Sequence, residues 1–99
     1  MQELVCSNNQ LTNLDVSGNT KLDALYCDNN RLANLTLGNN DVLQLVKCPN
    51  NQLTSLNVNG LTGLTSLECG DNSLTGIDLS QNEALSALRI AGNKLTTLD

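Results

Sequence analysis

Leu22-Asp23-Ala24-Leu25-Tyr26-Cys27-Asp28-Asn29-Asn30-Arg31-Leu32 decides the reading of this chain, because its pattern returns every 21 residues without a gap. Leu4, Leu25, Val46, Leu67 and Leu88 share one register, and two residues on stand Cys6, Cys27, Cys48, Cys69 and Ile90. Asn9, Asn30, Asn51, Asn72 and Asn93 come next, followed by Leu11, Leu32, Leu53, Leu74 and Leu95. Further on lie Leu14, Leu35, Leu56, Ile77 and Leu98, then Val16, Leu37, Val58 and Leu79. Asn19, Asn40, Leu61 and Asn82 form a second polar column, and Leu22, Leu43, Leu64 and Leu85 close the unit, with Met1 in their register. Residues 1–99 thus hold four repeats and part of a fifth.

Within each unit the segments Leu-x-Cys and Leu-x-Val alternate with period two, as strands do, and Asn, Gly and Asp separate them as turn formers. No stretch holds ten residues at helical period. The pattern predicts a coil with a short parallel strand at Leu-x-Cys and a second, extended or 3₁₀ segment opposite. Coils stack about 4.8 Å apart into a short, curved slab. One coil cannot bury its own leucines, so stacking must supply their neighbours. The Asn9 to Asn93 column falls at the bend after each strand, where one carboxamide serves a backbone N–H and a C=O together. Leu61 breaks the second column, and the bend there is expected to be rebuilt locally beside Gly60 and Gly63.

Composition narrows the function. The chain has no His, Trp or Phe, Tyr26 is its one aromatic residue, and its net charge is −5. Lack of histidine removes the commonest general base and metal ligand. The acidic balance argues against nucleic acid, whose phosphates call for clustered Lys and Arg. No apolar run approaches the roughly 20 residues of a spanning helix, so membrane insertion by this segment is not expected. No catalytic constellation is present, and no cofactor is implied.

The quoted stretch fits the signature L-x-x-L-x-L-x-x-N-x-L, and on these residues the chain resembles the leucine-rich repeat proteins. The 21-residue period with cysteine at the strand, together with Leu14-Asp15-Val16-Ser17-Gly18-Asn19 and Ile77-Asp78-Leu79-Ser80-Gln81-Asn82, is similar to the bacterial internalins. The resemblance implies the α/β leucine-rich repeat class and an extracellular or bacterial-surface setting. With that class it implies a right-handed solenoid with its parallel β-sheet on the concave face, short β, 3₁₀ or extended segments on the convex face and no long helices. It also implies recognition of a ligand on the concave face, in adhesion or host interaction. On this reading the chain is an uncapped part of a longer solenoid, and its open ends predict end-to-end self-association.

The cysteines stand 21 residues apart, so their sulfurs line up rather than converge as zinc ligands do. Buried free thiols are the expected state, with disulfides and metal as the alternatives, and no metal site is assigned. Thr12, Ala33, Thr54, Thr75 and Thr96 form an interrupted threonine row, read as turn residues rather than an ice-binding array. Asp28 and Asp71 lack the loop pattern of a calcium site.

Residues that differ from repeat to repeat mark the face open to a ligand. These are Val5, Tyr26, Lys47, Glu68 and Arg89 in the central column, with Leu45 and Asp28 beside it. Tyr26 supplies contact area with few rotamers to freeze. A protein ligand is expected, since one aromatic residue is sparse for a sugar-binding face. Glycan binding and a spacer without a ligand are the alternatives.

Overall fold

The computed structural model describes residues 2–98; Met1 and Asp99, with the side chains of residues 97 and 98, lie outside the described residues. Five strands form one parallel sheet in chain order: β1 (Glu3–Val5), β3 (Ala24–Tyr26), β5 (Leu45–Lys47), β6 (Ser66–Glu68) and β8 (Ala87–Arg89). Each pairs with the equivalent residues 21 positions on, so Leu4 lies beside Leu25, then Val46, Leu67 and Leu88. The strands begin one residue before the Leu-x-Cys segment. The cysteine N–H groups nevertheless extend the ladder, with Cys6, Cys27, Cys48 and Cys69 donating to the carbonyls of Tyr26, Lys47, Glu68 and Arg89 at 2.7–2.9 Å.

Period-two alternation turns the sequence ladders inward. Leu25, Val46 and Leu67 are fully buried, as are Leu32, Leu53 and Leu74 across the core. The interior is one continuous apolar stack running through all coils. Each side chain is covered by its equivalents above and below, which is why stability in such a fold accumulates coil by coil.

The opposite face is less regular. It carries β2 (Asn13–Asp15) paired with β4 (Asn34–Thr36), and β7 (Gly76–Ile77) paired with β9 (Thr97–Leu98). Of the β, 3₁₀ or extended segments expected opposite the sheet, short β and extended stretches occur, with no 3₁₀ segment among the described residues. In the third coil, residues 54–57 form no strand, and among the described residues no backbone hydrogen bond ties them to a neighbouring coil. Pairing is thus unbroken across the five-stranded face and interrupted on the other.

Leu61 lies in the same coil as that break. Asn40 donates to the carbonyls of Asn19 and Leu22 at 3.1 and 2.8 Å, and Asn82 donates to those of Val58 and Leu61 at 2.9 and 3.2 Å. A leucine donates nothing, so at this column the third coil has no side-chain tie to the second. The turn itself keeps its backbone bonds, from Leu61 to Val58 at 3.3 Å and from Leu64 to Leu61 at 3.2 Å. It is rebuilt around Gly60, which takes a left-handed φ of 82°. Gly63 is needed for space: a Cβ there would stand 2.6 Å from the Asp41 carbonyl oxygen.

The first asparagine column does more than the sequence predicts. Asn51 donates to the carbonyls of Cys48 in its own coil and Cys27 in the coil before, each at 3.1 Å, and to that of Pro49 at 3.3 Å. Its oxygen accepts the N–H of Leu32 at 3.0 Å. Asn30 and Asn72 repeat the arrangement, and all three are 8% exposed. Asn93 makes it at the last coil, while Asn9 is exposed and bonds only within its own coil.

All four cysteines are free thiols, Cys6 half-buried and the others buried. Burial pushes the Cys69 thiol up to about 11. A hydrogen bond with Cys27, then burial, raises Cys48 well above the ordinary range, and burial raises Cys6. Neutral thiols packed as small apolar groups are therefore the state of Cys6, Cys48 and Cys69 at physiological pH.

Two outcomes follow from these ladders. Asn51→Leu removes an acceptor and a donor group that serve buried backbone atoms, and is expected to lower unfolding free energy in urea by about 1–3 kcal/mol. Asn9→Leu, at the exposed end of the same column, should cost less than half of that. For the thiols, an unfolded cysteine ionises near 9 whereas folded Cys69 does so near 11. Between those values unfolding releases protons, so stability is full below pH 9 and falls as pH rises towards 11. Urea unfolding across that range should show the decline, and the Cys69→Ala chain should lose part of its slope.

Candidate functional site

Fixing the inward residues fixes the outward ones. Strand register places Val5 beside Tyr26, Tyr26 beside Lys47, Lys47 beside Glu68 and Glu68 beside Arg89, so the five form one unbroken row across the sheet. Val5 is 65% exposed and Arg89 is exposed, while Tyr26, Lys47 and Glu68 are half-buried. Leu45 lies on the same side of β5 as Lys47, half-buried, in register with buried Ala24 and half-buried Ser66. The row therefore passes from an apolar end at Val5 and Tyr26 to a charged end at Glu68 and Arg89.

Electrostatics along the row are uneven. The Arg89 Nε stands 4.0 Å from Glu68 Oε1, with the arginine side chain 80% exposed. Such an exposed pair contributes little and leaves the guanidinium free to engage elsewhere. Lys47 has no carboxylate within salt-bridge distance among the described residues.

Asp28 sits differently from its neighbours. It lies beyond the end of β3, and both carboxylate oxygens are occupied: Ser7 Oγ donates to one at 2.5 Å and Asn29 Nδ2 to the other at 3.2 Å. Asn29 also donates to Asn8 Oδ1 at 3.0 Å, which links the first two coils along the rim. The structure thus gives Asp28 a tie between coils and leaves the other six predicted residues on the open face.

Next to Asp28 runs a column that the sequence reading passed over. Asn8, Asn29, Asn50 and Asp71 hold φ between 52° and 60°, and Gly92 continues the column at 76°. Its signal was present: each position carries Asn, Asp or Gly, the residues that tolerate a left-handed backbone. This turn sends the chain from the sheet into the asparagine clamp. Beyond it, an open cavity of about 880 Å³ reaches from Pro49, Gly70 and Ala91 past Glu68 and Arg89 to Leu88, Ile90 and Leu95 at the end of the last coil.

On the opposite face, Asp15 accepts from the backbone and hydroxyl of Ser17, and Asp78 from the backbone of Ser80. Hydrogen bonds from these serines hold both carboxyls below the usual range. These aspartates shape turns.

No protein-family model matches this chain, and no curated protein matches it. Among solved structures it is similar to the functional domain of InlJ from Listeria monocytogenes, which includes a cysteine ladder. The two are 32% identical with a TM-score of 0.76, over 100% of this chain and 27% of that one. The chain therefore spans about a quarter of the InlJ structure. Its cysteines repeat at the strand of successive coils, as the sequence resemblance anticipated. In sequence, fold and cysteine column this chain is a leucine-rich repeat solenoid, similar over its whole length to part of the InlJ structure.

Proposed function

We propose that the five-stranded face is a protein-recognition surface belonging to a bacterial surface or secreted protein, and that it serves adhesion or host interaction. The observation that carries this reading is the row from Val5 to Arg89. Five adjacent strands hold a repeating core inward and present five different side chains outward in one line. A scaffold fixed by its ladders leaves such a row free to be fitted to a partner. Tyr26, with Leu45 nearby on the same face, supplies the apolar anchor, and Lys47 and Arg89 supply cations for charge complementarity. Similarity to an internalin supports a surface setting and a recognition role.

Binding of the labelled chain to cultured mammalian cells tests this, with and without protease treatment of the cells. The expected result is binding that protease abolishes and that the Tyr26→Ala/Lys47→Ala chain has lost by at least about tenfold, the scale of one anchor residue. Binding that survives protease would replace the protein ligand with a glycan. No binding by either chain would overturn the proposal and leave the repeats as a spacer.

A further inference from the structure

We propose that Asn59 is a site of spontaneous modification, where the side-chain amide is lost through a cyclic imide to leave aspartate and isoaspartate. Of the sixteen asparagines in the chain, Asn59 is the one followed by glycine. The reaction needs the Gly60 backbone nitrogen to reach Cγ of Asn59 and close a five-membered ring. A side chain on the following residue crowds that approach, and glycine has none. The new bond joins the Gly60 nitrogen to Asn59 Cγ, and the side-chain nitrogen leaves as ammonia, taking the amide proton with it. Water then opens the imide at either carbonyl, giving aspartate or the isomer whose main chain runs through the former side chain.

The fold leaves this asparagine free to turn. Residues 54–57, just before it, have no backbone bond to either neighbouring coil among the described residues. Asn59 lies between two cavities of about 320 and 210 Å³, each lined by Asn57 and Asn59. Its carboxamide makes no hydrogen bond among the described residues. The attacking nitrogen is held only by the exposed side chain of Gln81, at 3.0 Å. The clamp asparagines are the opposite case. The amide of Asn51 is fixed by bonds at both its nitrogen and its oxygen, and cannot swing towards its own backbone. Modification also changes the coil. The new carboxylate shares a cavity with Asp78, and isoaspartate lengthens the third coil by one main-chain carbon.

The folded chain, aged at mildly alkaline pH and sampled by peptide mapping, tests this. The expected result is accumulation of aspartate and isoaspartate at Asn59 before any other asparagine. A falling melting temperature should track the modified fraction, and the Asn59→Gln chain aged in parallel should hold its melting temperature. Conversion spread evenly over the asparagines would overturn the proposal. So would an Asn59 that stays intact in the folded chain and reacts only after unfolding in urea, because the turn would then protect it.

Discussion

The carboxamide of Asn51 bonds the carbonyl of Cys48 in its own coil and that of Cys27 in the preceding one, while its oxygen takes the N–H of Leu32. A 21-residue coil without helices has to bend sharply after a strand of three residues, and at the bend the sheet can no longer satisfy the backbone. Water cannot reach groups that far inside, and an unsatisfied buried amide or carbonyl costs about 1–3 kcal/mol. Only a group that both donates and accepts resolves this at a single position. Because its bonds reach across coils, the clamp also sets how far one coil lies from the next. The strand register and the burial of the leucines both require that spacing.

The packing inside follows from the same spacing. Cys27, Cys48 and Cys69 stand directly before the bend, where the clamp draws the cysteine carbonyls of two coils to one amide. A thiol is small enough for that convergence and apolar enough to be fully buried once its ionisation is suppressed. The last coil keeps the clamp with Ile90 in the cysteine's place, half-buried, its carbonyl accepting from Asn93 at 2.8 Å. The opposite face has a second asparagine column with a gap at Leu61, and its strand pairing is interrupted in that same coil. Leu61 and Leu64 stay buried and keep the backbone bonds of their turn, and Asn82 still ties the third coil to the fourth.

Much of this was legible in the sequence because repetition removes ambiguity. A leucine at one position says little, whereas leucines at positions 32, 53 and 74 identify a core column, and the structure buries all three completely. The parallel sheet, the thiol column and the asparagine bends were read in this way. What the pattern could not supply were features set by geometry between coils. The strand starts one residue early because pairing depends on the backbone of adjacent coils rather than on side-chain period. Residues 54–57 keep the repeat's buried Leu56 and still form no strand, which the side-chain pattern does not signal. The left-handed column at Asn8, Asn29, Asn50 and Asp71 was visible in composition, but its polar residues look like any solvated turn until φ is known.

Asp28 shows why variation between repeats is an incomplete guide to a binding face. It differs from Ser7, Pro49, Gly70 and Ala91 in its column, as a ligand-facing residue would, yet both its oxygens are committed to Ser7 and Asn29. Meeting a ligand through that carboxylate would mean giving up bonds that join the first two coils. Lys47 presents the reverse case: half-buried between Tyr26 and Glu68 in the row, with no carboxylate in salt-bridge range among the described residues. A cation partly withdrawn from water and lacking a counter-charge gains more from a partner's carboxylate than a fully exposed one does, because solvent screens it less. The same reasoning ranks Arg89 lower, since it is exposed and already near Glu68. Selectivity on the proposed face therefore rests on the middle of the row, where an apolar anchor at Tyr26 and a cation at Lys47 stand side by side on adjacent strands.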